Sequence, residues 1–599
     1  MNDLLESNEI TEYVNCLKCF REGEDFMKKR WLALCLATVM AASLTACGSS
    51  KTSTPDTTGA QTTAAGSETK AGGETKAEEA PAGAVEQVVT IPMFSDPDTL
   101  DPGRSDDEQK NAIVLEIQET LIRLMDGKVT PGGAESWETS DAGLVWTFKL
   151  RDNQYSDGTA VTAQDYVNSI RRIFDPEVNC HNAGIFYCIK GGEDFNTGKG
   201  SKEDVAAKAV DDKTLEITLT EPLPYFLQLM TFANVTPVPE SKTQGEKNSS
   251  YGATAEELSS SGPFYASEWV RGSKIVLKKN PNYWDAANVK LETVNMVLAQ
   301  DENTREQMFN QGQLDILRKV RSEYADTLKA KIDGGEVQLL EGPQPRYSYI
   351  CFNNEDPNGI FTNEKIRMAF SIALDRESLV KNVMKKDQAA YGMIPYGLSI
   401  GEELFRDIYP EPMKDFLAQD PKALLEEGLK EIGKEGEQIT VTFLQKNSDN
   451  DTKVQAEYYQ NQWQTKLGVI VKIDTASDNS SFNNQVSKGL YQVCQTGWGA
   501  DYNDPMTFMQ CYMTGDGNNP AFFSDAKYDE LVEACKTESD MKVRGEKFAE
   551  AEKIITVEHC GLAPITFTYD KNVAKSSVKG FYINGAGGPA IELKSAYVE

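Results

Sequence analysis

The sequence predicts a mixed α/β protein folded as two or three lobes, and three observations carry that expectation. From residue 88 to residue 599, stretches of alternating apolar residues and stretches of helical period succeed one another without a fixed repeat, which excludes a solenoid. At 599 residues the chain is longer than a single hydrophobic core supports. A 40% share of hydrophobic residues is enough to fill those cores.

The chain begins with a segment that is not expected to join the fold. Residues 1–26 carry Glu6, Glu9, Glu12, Glu22, Glu24 and Asp25, a poor start for an export signal, and are read as an over-extended or non-native start. On that reading Cys16 and Cys19 are neither a redox pair nor a metal pair. Met27 opens a better signal: Lys28, Lys29 and Arg30 are followed by the apolar run from Trp31 to Leu44, so residues 27–46 read as a signal peptide. A bilayer span needs ~20 apolar residues, more than this run supplies.

Leu44-Thr45-Ala46-Cys47 closes the signal and resembles the lipobox of bacterial lipoproteins, which implies that Cys47 is acylated and tethers the chain to a membrane. Residues 47–87 then form a Ser-, Thr-, Gly-, Ala-, Lys- and Glu-rich tether with almost nothing to bury.

The body starts at Val88-Val89-Thr90-Ile91. A helical pattern at Ile113, Ile117 and Leu121 follows, then a strand from Leu144 to Leu150 and a turn at Ser156-Asp157-Gly158-Thr159. Thr162 stands three residues before Asp165 as a helix cap, with Val167, Ile170 and Phe174 on one face beyond it. A half-buried strand is expected over Thr214 to Thr220. Pro222, Pro224, Pro237 and Pro239 bracket Tyr225-Phe226-Leu227, a candidate crossing between lobes. Further on, a helix capped at Thr362 carries Ile366 and Phe370, and residues 420–431 read as another helix. Tyr459, Trp463 and Leu467 mark a helix that Gly468 ends.

Charge and composition narrow the function. With 61 basic and 92 acidic residues the formal charge is −31, the wrong sign for a phosphate backbone, so no nucleic-acid partner is expected. The seven acids and five bases of residues 1–46 barely alter that balance. Cys180, Cys188, Cys351, Cys494, Cys511, Cys535 and Cys560 are odd in number and irregularly spaced, so no disulfide framework is implied; Cys180 and Cys188 are close enough in sequence to pair, but free thiols are the expectation. The two histidines, His181 and His559, belong to no metal-binding pattern and are expected to be structural or exposed. Neither a cofactor nor a metal is expected, and no nucleophile elbow or P-loop is present.

The stretch from Gly497 to Pro505, Gly-Trp-Gly-Ala-Asp-Tyr-Asn-Asp-Pro, places a carboxylate beside aromatic rings between glycines and a proline. An Asx-type turn would account for it without any ligand. It gains meaning from its companions: Asp96-Pro97-Asp98-Thr99-Leu100-Asp101-Pro102; Ala134-Glu135-Ser136-Trp137; Thr147 to Arg151 with Ser156 to Thr159 and Thr162 to Asp165; Ser261-Gly262-Pro263-Phe264; Asn280 to Trp284; Ile366-Arg367 through Ala373-Leu374-Asp375-Arg376; and Leu467-Gly468-Val469. In this order they resemble the extracytoplasmic solute-binding proteins of peptide ABC importers, the oligopeptide/dipeptide-binding type.

The resemblance implies a two-lobed fold like that of periplasmic binding proteins, of the class II or cluster C type, with an additional inserted domain. It maps the first lobe to residues 88–130, 222–345 and 560–599, the inserted domain to 131–221 and the second lobe to 346–559. It also implies that Asp501 takes a ligand's α-ammonium, that Trp498 walls the cleft, that Gly497 and Gly499 let a bound backbone approach, and that Tyr502 belongs to the ligand site. Some members carry an arginine two residues before the Gly-Trp pair, where it can answer a ligand carboxylate; here that position is Gln495.

The reading that follows is a monomeric, lipid-anchored receptor on the outer face of a bacterial cell membrane, catching peptides for an ABC permease and catalysing nothing. A receptor of the same fold for an oligosaccharide, a nickel complex or haem is one alternative, and a peptide-sensing receptor is another. A glycosidase using Asp501 and Asp504 is disfavoured, because two acids three apart on a loop do not flank a scissile bond at ~5–9 Å.

Overall fold

Three sheets organise the molecule, and each is filled by apolar residues that the alternating patterns place on one face. The computed structural model describes residues 85–599 apart from 126, 127, 246 and 586–589. The signal peptide, Cys47 and nearly all of the tether lie outside the described residues, as does the Cys16/Cys19 reading.

The first sheet runs in the order Val88–Met93, Thr293–Leu298, Lys274–Lys279, Phe264–Val270. Its first pair is parallel and the others antiparallel. Val89, Ile91, Val294, Met296, Ile275 and Leu277 pack against Ile113, Val114 and Ile117 of the Glu108–Ile117 helix. Asp107 caps that helix by accepting from the Lys110 N–H at 2.9 Å.

The second sheet, Ala134–Thr139, Val145–Leu150, Thr214–Thr218, Ala207–Asp211, is wholly antiparallel. Phe148, Leu150, Leu215 and Ile217 form its buried face, covered by Tyr166, Val167 and Ile170 of the Ala163–Ile173 helix. Thr162 and Asp165 form the expected capping box. Asp101, from the Asp-Pro-rich motif, accepts both arms of Arg172 of this helix at 2.9 and 2.8 Å, a buried bidentate pair.

The third sheet has seven strands. Its main path is Ile316–Leu317, Leu562–Lys575, Val337–Phe352, Val493–Gly499, Thr440–Gln445, Ile470–Thr475, with Gln388–Ala389 added on Leu562–Lys575. Phe370, Phe443, Tyr459 and Trp463 stack beneath it, and the Trp463 indole N–H donates to the Phe370 carbonyl at 2.8 Å. Gly468 ends the Asn450–Leu467 helix at φ +72°, as its position predicts. The Glu364–Ile372 helix is capped one residue later than expected: Asn363, not Thr362, accepts from the Ile366 N–H, because the Thr362 hydroxyl is turned back to the Gly359 carbonyl.

Two strands are much longer than the rest, Val337–Phe352 with 16 residues and Leu562–Lys575 with 14, and they pair antiparallel. At one end Leu340 and Ala574 join the core of the first sheet. At the other, Ile350, Phe352, Ala563 and Ile565 join the core around Trp463. These strands therefore connect two cores, and their ladder is interrupted between Pro343 and Tyr347. All seven described cysteines are free, and six of them are buried.

The motif arginines are structural. Arg376 is fully buried and donates to the carbonyls of Pro564 at 2.7 Å and Ser371 at 3.0 Å; burial without a carboxylate partner lowers its pKa to about 10. Arg367 likewise serves the carbonyls of Phe361, His559 and Cys560.

Candidate functional site

A cleft of about 440 Å³ opens where the Glu108–Ile117 helix, the interrupted part of the long strand pair and the end of the Val493–Gly499 strand meet. Among its lining residues are Asp501, Gly499, Arg346, Glu108 and Asp570. The fold delivers Asp501 there by continuing the Val493–Gly499 strand past its last ladder residue. The Ala500 N–H donates to the Pro345 carbonyl at 2.8 Å, and the Asp501 N–H donates to the Thr507 hydroxyl at 3.0 Å.

The Asp501 carboxylate is open to solvent inside the cleft yet surrounded by protein on most sides. That crowding raises its pKa, against a smaller opposing pull from the Thr507 hydroxyl and the charge of His181. Thr507 Oγ1, 3.5 Å away, is its side-chain neighbour, and among the described residues no cation forms an ion pair with it. An acid held in this way is a ready acceptor for an incoming cationic donor.

The other expected residues are distributed around Asp501. Gly499 lines the cleft. Gly497 sits opposite Ser348 in the ladder, and a Cβ there would lie 2.7 Å from the Tyr347 carbonyl oxygen. Trp498 is half-buried beside the core, and its buried indole N–H has no partner among the described residues. Tyr502 lies behind the cleft lining: it is buried and stacked on Tyr225 with ring centres 4.9 Å apart and planes 3° from parallel. Gln495 accepts a hydrogen bond from the Tyr459 hydroxyl at 3.2 Å. Asp504 is wholly committed to structure, taking both arms of the buried Arg544 at 2.6 and 2.8 Å.

Sequence reasoning missed the cleft's basic side. Glu108 binds Arg318 at 2.6 Å and Lys319 at 2.5 Å. Burial alone would raise the Glu108 pKa, but the two cations overcome it and hold the carboxyl down at about 2. Asp570 is pushed upward by burial, opposed by the charges of Lys319, Arg318 and Arg346. None of these residues stands in a recognisable local pattern; they converge only because the long strands and the Glu108 helix meet at the cleft.

Comparison with known proteins agrees with this architecture. Residues 128–520 match the family described as bacterial extracellular solute-binding proteins, family 5 Middle. The chain is 32% identical over 582 residues to the oligopeptide-binding protein OppA of Bacillus subtilis, covering 95% of this chain and all of that one. Among solved structures, the unliganded open form of the periplasmic murein tripeptide binding protein MppA matches with a TM-score of 0.73 at 26% identity, covering 86% of this chain and 99% of the other. Listeria monocytogenes OppA bound to peptide matches with a TM-score of 0.66 at 28% identity, over 86% and 99% of the two chains. The architecture is thus the two-lobed α/β fold of these binding proteins. On the extent of the family match and of the identity to its relatives, this chain is a member of the bacterial extracellular solute-binding proteins, family 5.

Proposed function

We propose that this chain is a receptor that captures short peptides outside the cell by their free amino terminus and delivers them to an ABC permease for import. The observation that carries the reading is Asp501, a crowded carboxylate in a cleft, without an ion-pair partner among the described residues and with raised proton affinity. An α-ammonium arriving there satisfies the acid through a charge-assisted hydrogen bond. Gly499 brings no side chain of its own to the cleft lining, where main-chain bonding tolerates many side chains, while Gly497 makes room for the neighbouring strand. Trp498 supplies the adjoining wall, and Tyr502 fixes the loop from behind through its stack on Tyr225. The names of relatives, an oligopeptide-binding protein and an OppA bound to peptide, support the same solute class.

The proposed lobes are residues 88–130, 222–345 and 560–599 for the first, 346–559 for the second and 131–221 for the inserted domain, with the long strand pair crossing between lobes. Cys47 is proposed as the acylated anchor, and mass spectrometry of the protein from its native membrane should find a chain that starts at Cys47 with fatty-acyl mass added. Solute class is tested by mass spectrometry of cargo released on denaturing the freshly purified protein. Peptides with free amino termini are expected; cargo without a primary amine would overturn the reading.

A further inference from the structure

We infer that Arg346 holds a ligand carboxylate close to the bound amino terminus, so that the cleft selects solutes carrying an anionic group within their first two residues. The inference rests on the peptide-receptor reading and specifies which peptides that site takes.

Arg346 differs from the other cations of the cleft. Arg318 and Lys319 are both engaged by Glu108, whereas Arg346 shares with them only the influence of its charge on Asp570. The side chain of Arg346 makes no hydrogen bond or ion pair with any described residue, and it is exposed within the cleft lining. Among the charged groups of the lining, Glu108 holds Arg318 and Lys319, and Asp106 and Asp107 are paired with Lys110, so Arg346 is the cation without an ion-pair partner among the described residues. With Asp501 nearby, it offers a zwitterion a donor for its carboxylate and an acceptor for its ammonium.

The backbone holds Arg346 in this position. Pro343 pairs with Tyr569 and Tyr347 pairs with Phe567, so residues 344–346 stand opposite the single residue Thr568. A bulge of this kind re-aims side chains out of the ladder, and Gln344, Pro345, Arg346 and Thr568 all line the cleft. The Pro345 carbonyl is tied to the Ala500 N–H at 2.8 Å, fixing the bulge to the segment that carries Asp501. The guanidinium lies over Gly499: a Cβ there would be 3.2 Å from Nη2 and 3.3 Å from Nε.

The two charged groups are close. Arg346 pairs with Gly499 across the ladder, and Asp501 follows two residues later. Paired Cα atoms lie ~5.5 Å apart and two residues span at most ~7 Å, so the Cα atoms of Arg346 and Asp501 are on the order of 9 Å apart. A planar guanidinium fork is suited to grip a carboxylate through two parallel hydrogen bonds. The carboxylate can be the C-terminus of a dipeptide or the side chain of an acidic residue near the start of a longer peptide.

Calorimetry with two peptide pairs separates these sources. Ala-Glu-Ala-Ala-amide against Ala-Gln-Ala-Ala-amide tests a side-chain carboxylate, and Ala-Ala against Ala-Ala-amide tests a C-terminal one. In the wild-type protein the anionic member of at least one pair is expected to bind about 10- to 100-fold tighter. Arg346→Gln should abolish that ratio while leaving the affinity of the neutral member and the melting temperature essentially unchanged. Arg346→Lys, keeping the charge without the fork, should leave a reduced ratio. A wild-type ratio near one in both pairs, or a ratio that survives Arg346→Gln, would overturn the role of Arg346 while the receptor reading stands. Absence of binding for all four peptides would instead remove the receptor reading and the inference with it.

Discussion

Replacing Asp501 with Asn should separate ligand recognition from folding, because at this position the two respond in opposite directions. The change preserves shape: the amide oxygen can still face Thr507 Oγ1, which lies 3.5 Å from the carboxylate, and the Asp501 N–H bond to Thr507 at 3.0 Å is untouched. What disappears is the negative charge. A hydrogen bond between charged groups contributes about 1.5–3 kcal/mol, so the affinity for a peptide with a free amino terminus should fall about 10- to 150-fold. Tetra-alanine and its N-acetyl derivative, titrated into both proteins by calorimetry, form the assay. The variant should lose affinity for the free amine only; equal losses for both ligands would refute the ammonium role. Stability moves the other way. Burial raises the Asp501 pKa in the ligand-free protein, so its contribution is most favourable below the unfolded-state pKa and is lost as pH rises through the folded-state value. The ionised acid therefore costs stability at neutral pH, and Asp501→Asn should melt no lower than wild type without ligand. A marked drop in melting temperature would show that the charge serves the fold. Binding to the wild type should weaken on acidification above the ordinary Asp value of ~3.9, and again above ~8 as the ligand amine loses its proton.

Four further substitutions test the surroundings and the core. Asp504→Asn leaves the buried Arg544 guanidinium without its counter-charge and should cost about 3–5 kcal/mol in chemical denaturation, with the preference for free over acetylated peptide retained. Gly497→Ala drives a Cβ to within 2.7 Å of the Tyr347 carbonyl oxygen and should destabilise by about 1–3 kcal/mol, whereas Gly499→Ala meets only the mobile head of Arg346 and should cost little stability while lowering the preference for anionic peptides. Glu116 is fully buried, and burial and the charge of Glu592 raise its pKa despite Arg123. The raised value means that its contribution is lost as pH rises, so Glu116→Gln should raise the melting temperature at pH 7 and match wild type near pH 4.

The parts of the site that a local motif carries were legible in the sequence, and the parts that tertiary structure assembles were not. Asp501 and Gly499 are two residues apart on one strand end, so a short pattern contains both. Arg346 reaches them only because its strand pairs with theirs, and no window of sequence holds the two segments together. Tyr502 shows the limit in the other direction: it neighbours Asp501 in sequence, but the chain turns after the strand and sends its ring against Tyr225. Helices with strong periodicity and caps, such as Ala163–Ile173 and Asn450–Leu467, were readable, while the choice between Thr362 and Asn363 as a cap depended on where the Thr362 hydroxyl found an acceptor. The motif arginines Arg367 and Arg376 were visible as landmarks, yet their task of satisfying backbone carbonyls distant in sequence follows only from the packed structure.

The interrupted ladder joins recognition to motion. A continuous antiparallel pair resists bending because each residue fixed in register adds hydrogen bonds to its neighbours, and unpaired residues relieve that resistance locally. Here the interruption lies between Pro343 and Tyr347, between the end of the strand pair that enters the first core and the end that enters the core around Trp463. The residues left out of the ladder with Leu562–Lys575 line the cleft. A ligand that touches both the Asp501 segment and the Glu108–Ile117 helix, which line the same cleft, makes more contacts when those elements approach. Only that difference in affinity can drive closure, since a ligand bound equally well in open and closed forms shifts nothing. On that reasoning, small-angle scattering should show a smaller radius of gyration with peptide than without, and an unchanged radius would refute closure at the bulge.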